Sequence, residues 1–409
     1  MEQVNELPQG WKWVRLGDVC DNTTTRNPSL EPNNSFYYVD ISSVDNESKK
    51  IVSPKLTLGK EASSRARKVI LESDVIVSTT RPNLNAVAII PTELNNQIAS
   101  TGFCVLRANS DLLDSQYLFS FVQSLYFIEN LSDLVNGALY PAVTDKQVFS
   151  QYIPLAPFPE QQRLATLLTA KLALIEQAKE KITAQLQAAQ ELTAAYLREV
   201  FESEEAKGWE WVKLQELCKV IGGNFSANIE ELNNEDSIKE RVYFIRVSDL
   251  SNEKFINNNL LYGSENYFSI KNFVKNKFID KNSIIFPKRG GAIATNKKKI
   301  INVPFVIDPN MMAVQSKSNN LNIQFLYYWF LSWDLSSIQS GSSVPQINQK
   351  DIEPLLIPLI SPDEQTQLAN YLSEKLATVE QLKATLQTQL DSINQLPAAL
   401  LKQAFSGKL

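Results

Sequence analysis

Two stretches of the chain carry apolar residues on a seven-residue repeat. In the first, one row runs Leu168, Ile175, Ile182, Ala189, Tyr196 and a second runs Leu164, Leu172, Ala178, Leu186, Leu192. In the second, the rows are Leu372, Val379, Leu386, Ile393, Leu400 and Leu368, Leu376, Leu382, Leu390, Leu396. Sustained heptads predict coiled-coil helices. Proline just ahead of acids marks both starts: Pro157 and Pro159 before Glu160, and Pro362 before Asp363 and Glu364. Proline at a helix start gives up no hydrogen bond, and acids suit the positive dipole end. A helix from Glu160 to Phe201 measures about 63 Å. It cannot bury its own apolar stripe, so its expected partner is the other long helix. Two helices that bracket a compact domain pair most simply antiparallel, which places the globular domains at opposite ends of one rod.

Ahead of each helix the period shortens. Val75-Ile76-Val77, Ala86-Val87-Ala88-Ile89-Ile90, Val242-Tyr243-Phe244-Ile245 and Ser283-Ile284-Ile285-Phe286 read as short strands. Clusters of Asn, Ser, Pro and Gly separate them, which is turn chemistry. The apolar, aromatic stretches 117–127 and 325–333 read as helical. Each section predicts a mixed α/β domain.

The two halves are copies. Gly10-Trp11-Lys12-Trp13-Val14-Arg15-Leu16 returns as Gly208-Trp209-Glu210-Trp211-Val212-Lys213-Leu214, and Cys20 returns as Cys218. Farther along, Ile153-Pro154-Leu155 matches Ile357-Pro358-Leu359, Glu160-Gln161 matches Glu364-Gln365, and Phe201 matches Phe405. The expected class is α+β: two mixed α/β domains separated by two long helices in an antiparallel coiled coil, with an internal pseudo-two-fold repeat. The expected boundaries are 1–155, 156–207, 208–359 and 360–409.

Composition then narrows the chemistry. The 409 residues are 44% hydrophobic and 21% charged, with three cysteines and no histidine. Absence of histidine removes Ser-His-Asp and Cys-His nucleophiles and the commonest general base. Neither Gly-Gly pair, 222–223 or 290–291, sits in a phosphate-loop pattern. Cys20, Cys104 and Cys218 are too scattered for a disulfide framework or a zinc site. These absences argue against catalysis, a metal or a cofactor on this chain. No apolar run approaches the roughly 18 residues that span a membrane. The first residues carry acids and amides before any apolar stretch, unlike a secretion signal. A cytoplasmic protein is expected.

The formal net charge is −5, yet the positive charge is clustered. Residues 49–68 hold Lys49, Lys50, Lys55, Lys60, Arg65, Arg67 and Lys68. Residues 271–299 hold Lys271, Lys275, Lys277, Lys281, Lys288, Arg289, Lys297, Lys298 and Lys299. Phosphate binding needs local patches rather than a positive whole. Charge runs also occur as ordinary solvated surface. With the repeat taken at an offset of 208, Arg81 falls opposite Arg289, each ending a strand at a turn. Arginine suits a bidentate grip on guanine or a phosphate clamp; a salt bridge holding the loop is the competing role. The loops from Gly137 to Pro141 and from Gly341 to Asn348 precede the long helices. In the second, Gln346 and Asn348 are candidates for reading adenine, and a plain turn is the alternative. The Trp11/Trp13 and Trp209/Trp211 pairs are expected to cap the domain cores rather than stack on bases.

These residues together resemble the specificity subunits of type I restriction–modification systems. The resemblance rests on the Gly-Trp-x-Trp-Val-x-Leu openings, Tyr243–Leu250, the Ile-Pro-Leu to Glu-Gln segments at Ile153–Gln161 and Ile357–Gln365, and Leu396–Leu409. It covers the whole chain. It implies two target-recognition domains, each reading one half of a bipartite double-stranded DNA target, and helices that dock two modification (methyltransferase) subunits. S-adenosylmethionine would be held by those subunits, none by this chain, and motor–nuclease restriction subunits would join them. The expected DNA-binding residues are Lys60, Arg65, Arg67, Lys68, Arg81, Lys275, Lys277, Lys288, Arg289, Lys297, Lys298, Gln346 and Asn348. The other readings are a recognition subunit of a related methyltransferase or nuclease, and a coiled-coil adaptor that binds no DNA.

Overall fold

A computed structural model describes residues 7–135, 141–223, 241–257, 259–269, 279, 281–340 and 344–409, with the side chains of residues 241, 268 and 269 left out. The chain divides into two compact units, Met1–Ala184 with Gln387–Leu409, and Gln185–Leu386. Each unit therefore takes one globular section and part of both long helices, Phe158–Phe201 and Pro362–Phe405.

In the first unit, Lys12–Arg15 pairs antiparallel with Tyr152–Leu155, joining the start of the globular section to its exit strand. One four-stranded sheet has the order Lys55–Leu58, Ser35–Val39, Gln97–Ser100, Ala66–Ile70. A second has the order Cys20–Asp21, Phe103–Ala108, Val75–Ser78, Val87–Ile89. The β-branched run at Val75–Ser78 is buried on both faces, as a central strand requires. The helix Ser115–Phe121 covers this second sheet and shares a core with Val75, Val77 and Leu106.

The second unit repeats this plan. Glu210–Lys213 pairs with Leu356–Leu359. Cys218–Gly222, Met311–Ser316, Ser283–Pro287 and Lys299–Ile301 follow one another in the same order as the strands of the second sheet above, and two short strands extend them. Arg241–Ile245 lies parallel to Phe305–Ile307, matching the parallel pairing of Ser35–Val39 with Gln97–Ser100. The helix Ile323–Leu331, nearly all aromatic or aliphatic, fills the core with Phe325, Trp329 and Phe330.

The long helices run antiparallel within each unit. In the first, Leu164, Ala165 and Leu168 share a core with Leu401 and Ala404. In the second, Leu197, Val200 and Phe201 share one with Ala369 and Leu372. One expectation fails in detail. Leu192, Leu382 and Leu396 are exposed, while Thr193, Lys383 and Pro397 are half-buried. The alternating three- and four-residue steps that keep a seam on one face lead from 186 through 189 to 193, not 192. The seam thus admits polar groups, and Lys383 Nζ lies 3.5 Å from Thr193 Oγ1. The tryptophans behave as core caps: Trp11, Trp209 and Trp211 pack on the cores, and Trp13 lies 5.3 Å from Tyr126, ring to ring.

Candidate nucleic-acid interface

In each unit a buried central strand runs into a loop that is tied to the segment before a long helix. In the first, Val143 N–H donates to Thr79 O and Arg81 N–H donates to Pro141 O, both at 2.8 Å. In the second, Ile347 N–H donates to Lys288 O and Gly290 N–H donates to Pro345 O, both at 2.8 Å. The tied loops continue into the short 3₁₀ helices Pro82–Leu84 and Gly290–Thr295, closed by the left-handed residues Asn85 and Asn296.

These bonds correct the alignment. The strand ladders set Val75 beside Leu106 and Ile284 beside Val314, an offset of 209 along the loop-bearing strand. Left-handed residues recur at that offset: Ser73 (φ 68°) with Asn282 (φ 65°), and Arg81 (φ 50°) with Gly290 (φ 71°). Arg81 is therefore the counterpart of Gly290, and Arg289 that of Thr80. The two arginines occupy neighbouring, not equivalent, positions. The offset rises from 198 at Cys20 and Cys218 to 209 on this strand and falls back to 208 at Leu106 and Val314, so a single offset misses the pairing by one. Asn and Gly at these positive-φ positions were the available signal.

The basic residues separate into two sets. Lys60, Arg65, Arg81, Arg289 and Lys297 are exposed. The segments that carry Arg65 and Arg81 are both tied to the turn at Thr101 and Gly102: Thr101 N–H donates to Arg65 O, and Thr79 N–H donates to Gly102 O. Arg289 bridges to Gln346 through the main chain, and its Nη2 lies 3.5 Å from Gln346 Oε1. Lys297 follows on the same loop and its ammonium donates to Ser251 Oγ.

The other set turns inward. Lys298 is buried, its ammonium donating to Asn296 Oδ1 (2.7 Å) and Trp333 O (2.8 Å) above the Phe330 ring. Burial pushes it down to about 7. The expected phosphate contact at Lys298 is thus corrected: it ties the loop to the Ile323–Leu331 helix end. Lys68, expected on the DNA, pairs with Asp145. Arg67 is half-buried and folds back onto Ser63 O and Ala66 O. Lys288 is half-buried with Nζ donating to Gly223 O at 3.2 Å, and burial and then Arg289 lower its affinity for the proton. The Asn348 amide, expected to face a base, donates to Ser340 Oγ (3.1 Å) and Asp351 Oδ2 (3.2 Å), inside a helix cap. Gln346 donates to Asn348 Oδ1 at 2.8 Å. Lys275 and Lys277, Gly137–Tyr140 and Gly341–Ser343 lie outside the described residues.

Among the described residues no group of three or more metal-ligating side chains comes together, and no helix is long and apolar enough to cross a membrane. Burial pushes the Cys20 and Cys218 thiols up to about 12, far from the range of a reactive thiolate.

The model of the type I restriction modification DNA specificity domain matches this chain twice, over residues 8–188 and 206–392. The chain belongs to that family. The MjaIX specificity subunit of Methanocaldococcus jannaschii is 25% identical over 86% of this chain and 83% of its own length. The MjaVIII specificity subunit from the same organism is 23% identical over 98% and 94%. Among solved structures, a chain of a type I restriction–modification system superposes with a TM-score of 0.85 at 32% identity, covering 99% of this chain and 100% of that one. The HsdS subunit of Thermoanaerobacter tengcongensis gives 0.69 at 32% identity over the full length of both. The two matches of the specificity-domain model coincide with the two repeats, so each copy carries one tied loop with exposed arginine.

Proposed function

We propose that this chain is the DNA-reading subunit of a type I restriction–modification complex and that it performs no chemistry of its own. The two globular sections, 1–155 and 208–359, each read one half of a bipartite target in double-stranded DNA. The helical regions, 156–207 and 360–409, dock two modification subunits, which bind S-adenosylmethionine and methylate adenine, and motor–nuclease subunits complete the restriction complex. The duplicated tied loop carries this reading: both copies hold an exposed arginine at the end of a rigid central strand, on a loop fixed at both sides by main-chain bonds. A rigidly held arginine is suited to a base edge or a phosphate. Lys60, Arg65 and Lys297 add exposed charge for backbone contacts.

Docking of two identical partners is supported by a second repetition. Leu192 and Leu396 hold the same place in the two copies and are both exposed, by 36% and 47%. An apolar residue left in water twice at the same repeat position suits two copies of one partner surface.

Sequencing of methylated adenines in the host tests the reading. A gapped, two-part motif disappears when the gene is deleted. Exchange of residues 208–356 for those of a relative changes one half of the motif and preserves the other. Methylation indifferent to deletion, or both halves changing together, rejects it.

A further inference from the structure

The first turn of each long helix carries a glutamine that is almost fully buried, Gln161 at 1% and Gln365 at 4% exposure. Gln161 Oε1 accepts from Asp114 N–H at 2.9 Å, while its Nε2 donates to Ala156 O (2.9 Å) and Leu112 O (3.0 Å). Gln365 Oε1 accepts from Asn322 N–H at 2.8 Å, and its Nε2 donates to Ile360 O at 3.0 Å. The partners are equivalent in the two copies. Ala156 and Ile360 follow the exit strands of the globular sections. Asp114 and Asn322 are the caps of the helices Ser115–Phe121 and Ile323–Leu331, which cover the loop-bearing sheets. One side chain thus ties three segments: the long helix, the strand that leads into it, and the helix beneath the reading sheet.

A buried amide with its donors and acceptors matched holds one geometry, because any rotation strands polar groups away from water. Leucine of similar size would fill the space but would allow the sheet to rock against the helix. We propose that Gln161 and Gln365 are positioning residues that set the direction in which each reading domain leaves its helix, and so fix the gap between half-sites. This rests on the two-reader function above.

The test uses the assembled methyltransferase carrying Gln161→Leu, Gln161→Glu or Gln365→Leu. Methylation rates are measured on duplexes with the natural gap, with gaps one base pair longer or shorter, and with one base changed in either half. Gln161→Leu is expected to erode the preference for the natural gap by about tenfold, the equivalent of one buried polar contact. Discrimination against base changes stays as in the unaltered complex, because the reading loops are untouched. Gln161→Glu keeps the acceptor for Asp114 N–H but sets a carboxyl oxygen against the carbonyls of Leu112 and Ala156, and is expected to erode the preference at least as far as leucine does. Gln365→Leu, with two bonds to lose instead of three, shows a smaller shift. A lower melting temperature or rate with the gap preference intact would overturn the proposal and leave these residues as packing alone. If Gln161→Leu does not assemble, the other two variants decide by the same readout. An unaltered complex that shows no gap preference indicts the two-reader function instead.

Discussion

The two units build the same strand and loop on different electrostatics. In the first, Asp74 is buried at the start of the central strand, takes two hydrogen bonds from Arg107 at 2.8 and 2.9 Å and accepts Leu71 N–H. At the same two places in the second unit stand Ser283 and Gln315, opposed in the equivalent ladder. The first unit roots its reading strand in an ion pair; the second has a buried serine and a glutamine at those places. Farther along, the likeness returns by another route. Each left-handed asparagine after the loop is held by a lysine: Lys49 Nζ donates to Asn85 O, and Lys298 Nζ to Asn296 Oδ1. The lysines come from unrelated parts of the two copies. What persists between the units is the backbone path; the side chains that secure it are interchangeable.

The largest expected effect separates the two roots. Asp74→Ala leaves a half-buried guanidinium without its partner and should cost the first unit about 3 kcal/mol. Ser283→Ala should cost the second about 1 kcal/mol. Hydrogen exchange read separately over Val75–Ser78 and Ser283–Pro287 measures both, and equal losses would erase the contrast.

Next come the arginines, which the corrected register makes unlike. Arg289→Ala should weaken DNA binding by the assembled methyltransferase by about 1–3 kcal/mol. Arg81→Gly should weaken it comparably while leaving stability unchanged or raising it by up to about 1 kcal/mol, because glycine tolerates φ 50°. Affinity measured beside thermal unfolding decides. A variant that binds normally but unfolds early assigns that arginine to the loop and not to DNA.

A smaller effect distinguishes adjacent lysines. Lys297→Ala should reduce the slope of log affinity against log salt by about one, as for a single phosphate contact, whereas Lys298→Ala leaves the slope alone. The same buried lysine also has a pH effect. Burial holds Lys298 near 7 against an ordinary 10.5. Between those values the unfolded chain keeps a proton that the folded one has released, so this group makes stability rise with pH from about 7 to 10.5 and adds no slope below. Denaturant titrations should show that rise weakened in Lys298→Met.

Much of the architecture was legible in the residue pattern, and for a physical reason. A heptad is a statement about one helix face, and Leu168, Leu372, Val379 and Leu386 are buried as it requires. The repeat was equally plain at Gly-Trp-x-Trp and Glu-Gln, where the backbone demands particular side chains. The reading surface was less so. Length changes in the turns around the strand moved Arg81 from Arg289 to Gly290, and turns tolerate such changes at little energetic cost. Charge counting grouped Lys297 with Lys298, yet on the loop before the strand Lys299–Ile301 the first is exposed and the second is buried against Trp333 O and Phe330. The roles of Gln161 and Gln365 depend on what surrounds them, which no local pattern records.

The division of the chain also bears on its assembly during synthesis. The second unit is one unbroken stretch, Gln185–Leu386, whereas the first borrows Gln387–Leu409. Leu401 and Ala404 lie in the first unit's core, and Phe405 packs edge-on against Tyr117 and Phe121. The half translated first therefore waits, with part of its core open, until the ribosome has made Gln387–Leu409, while its twin can close earlier. Closing contacts across such a separation is slow and leaves apolar surface exposed meanwhile. Loss of residues 397–405 should accordingly unmake the first reading domain and spare the second, although the residues lost lie after both globular sections in the sequence.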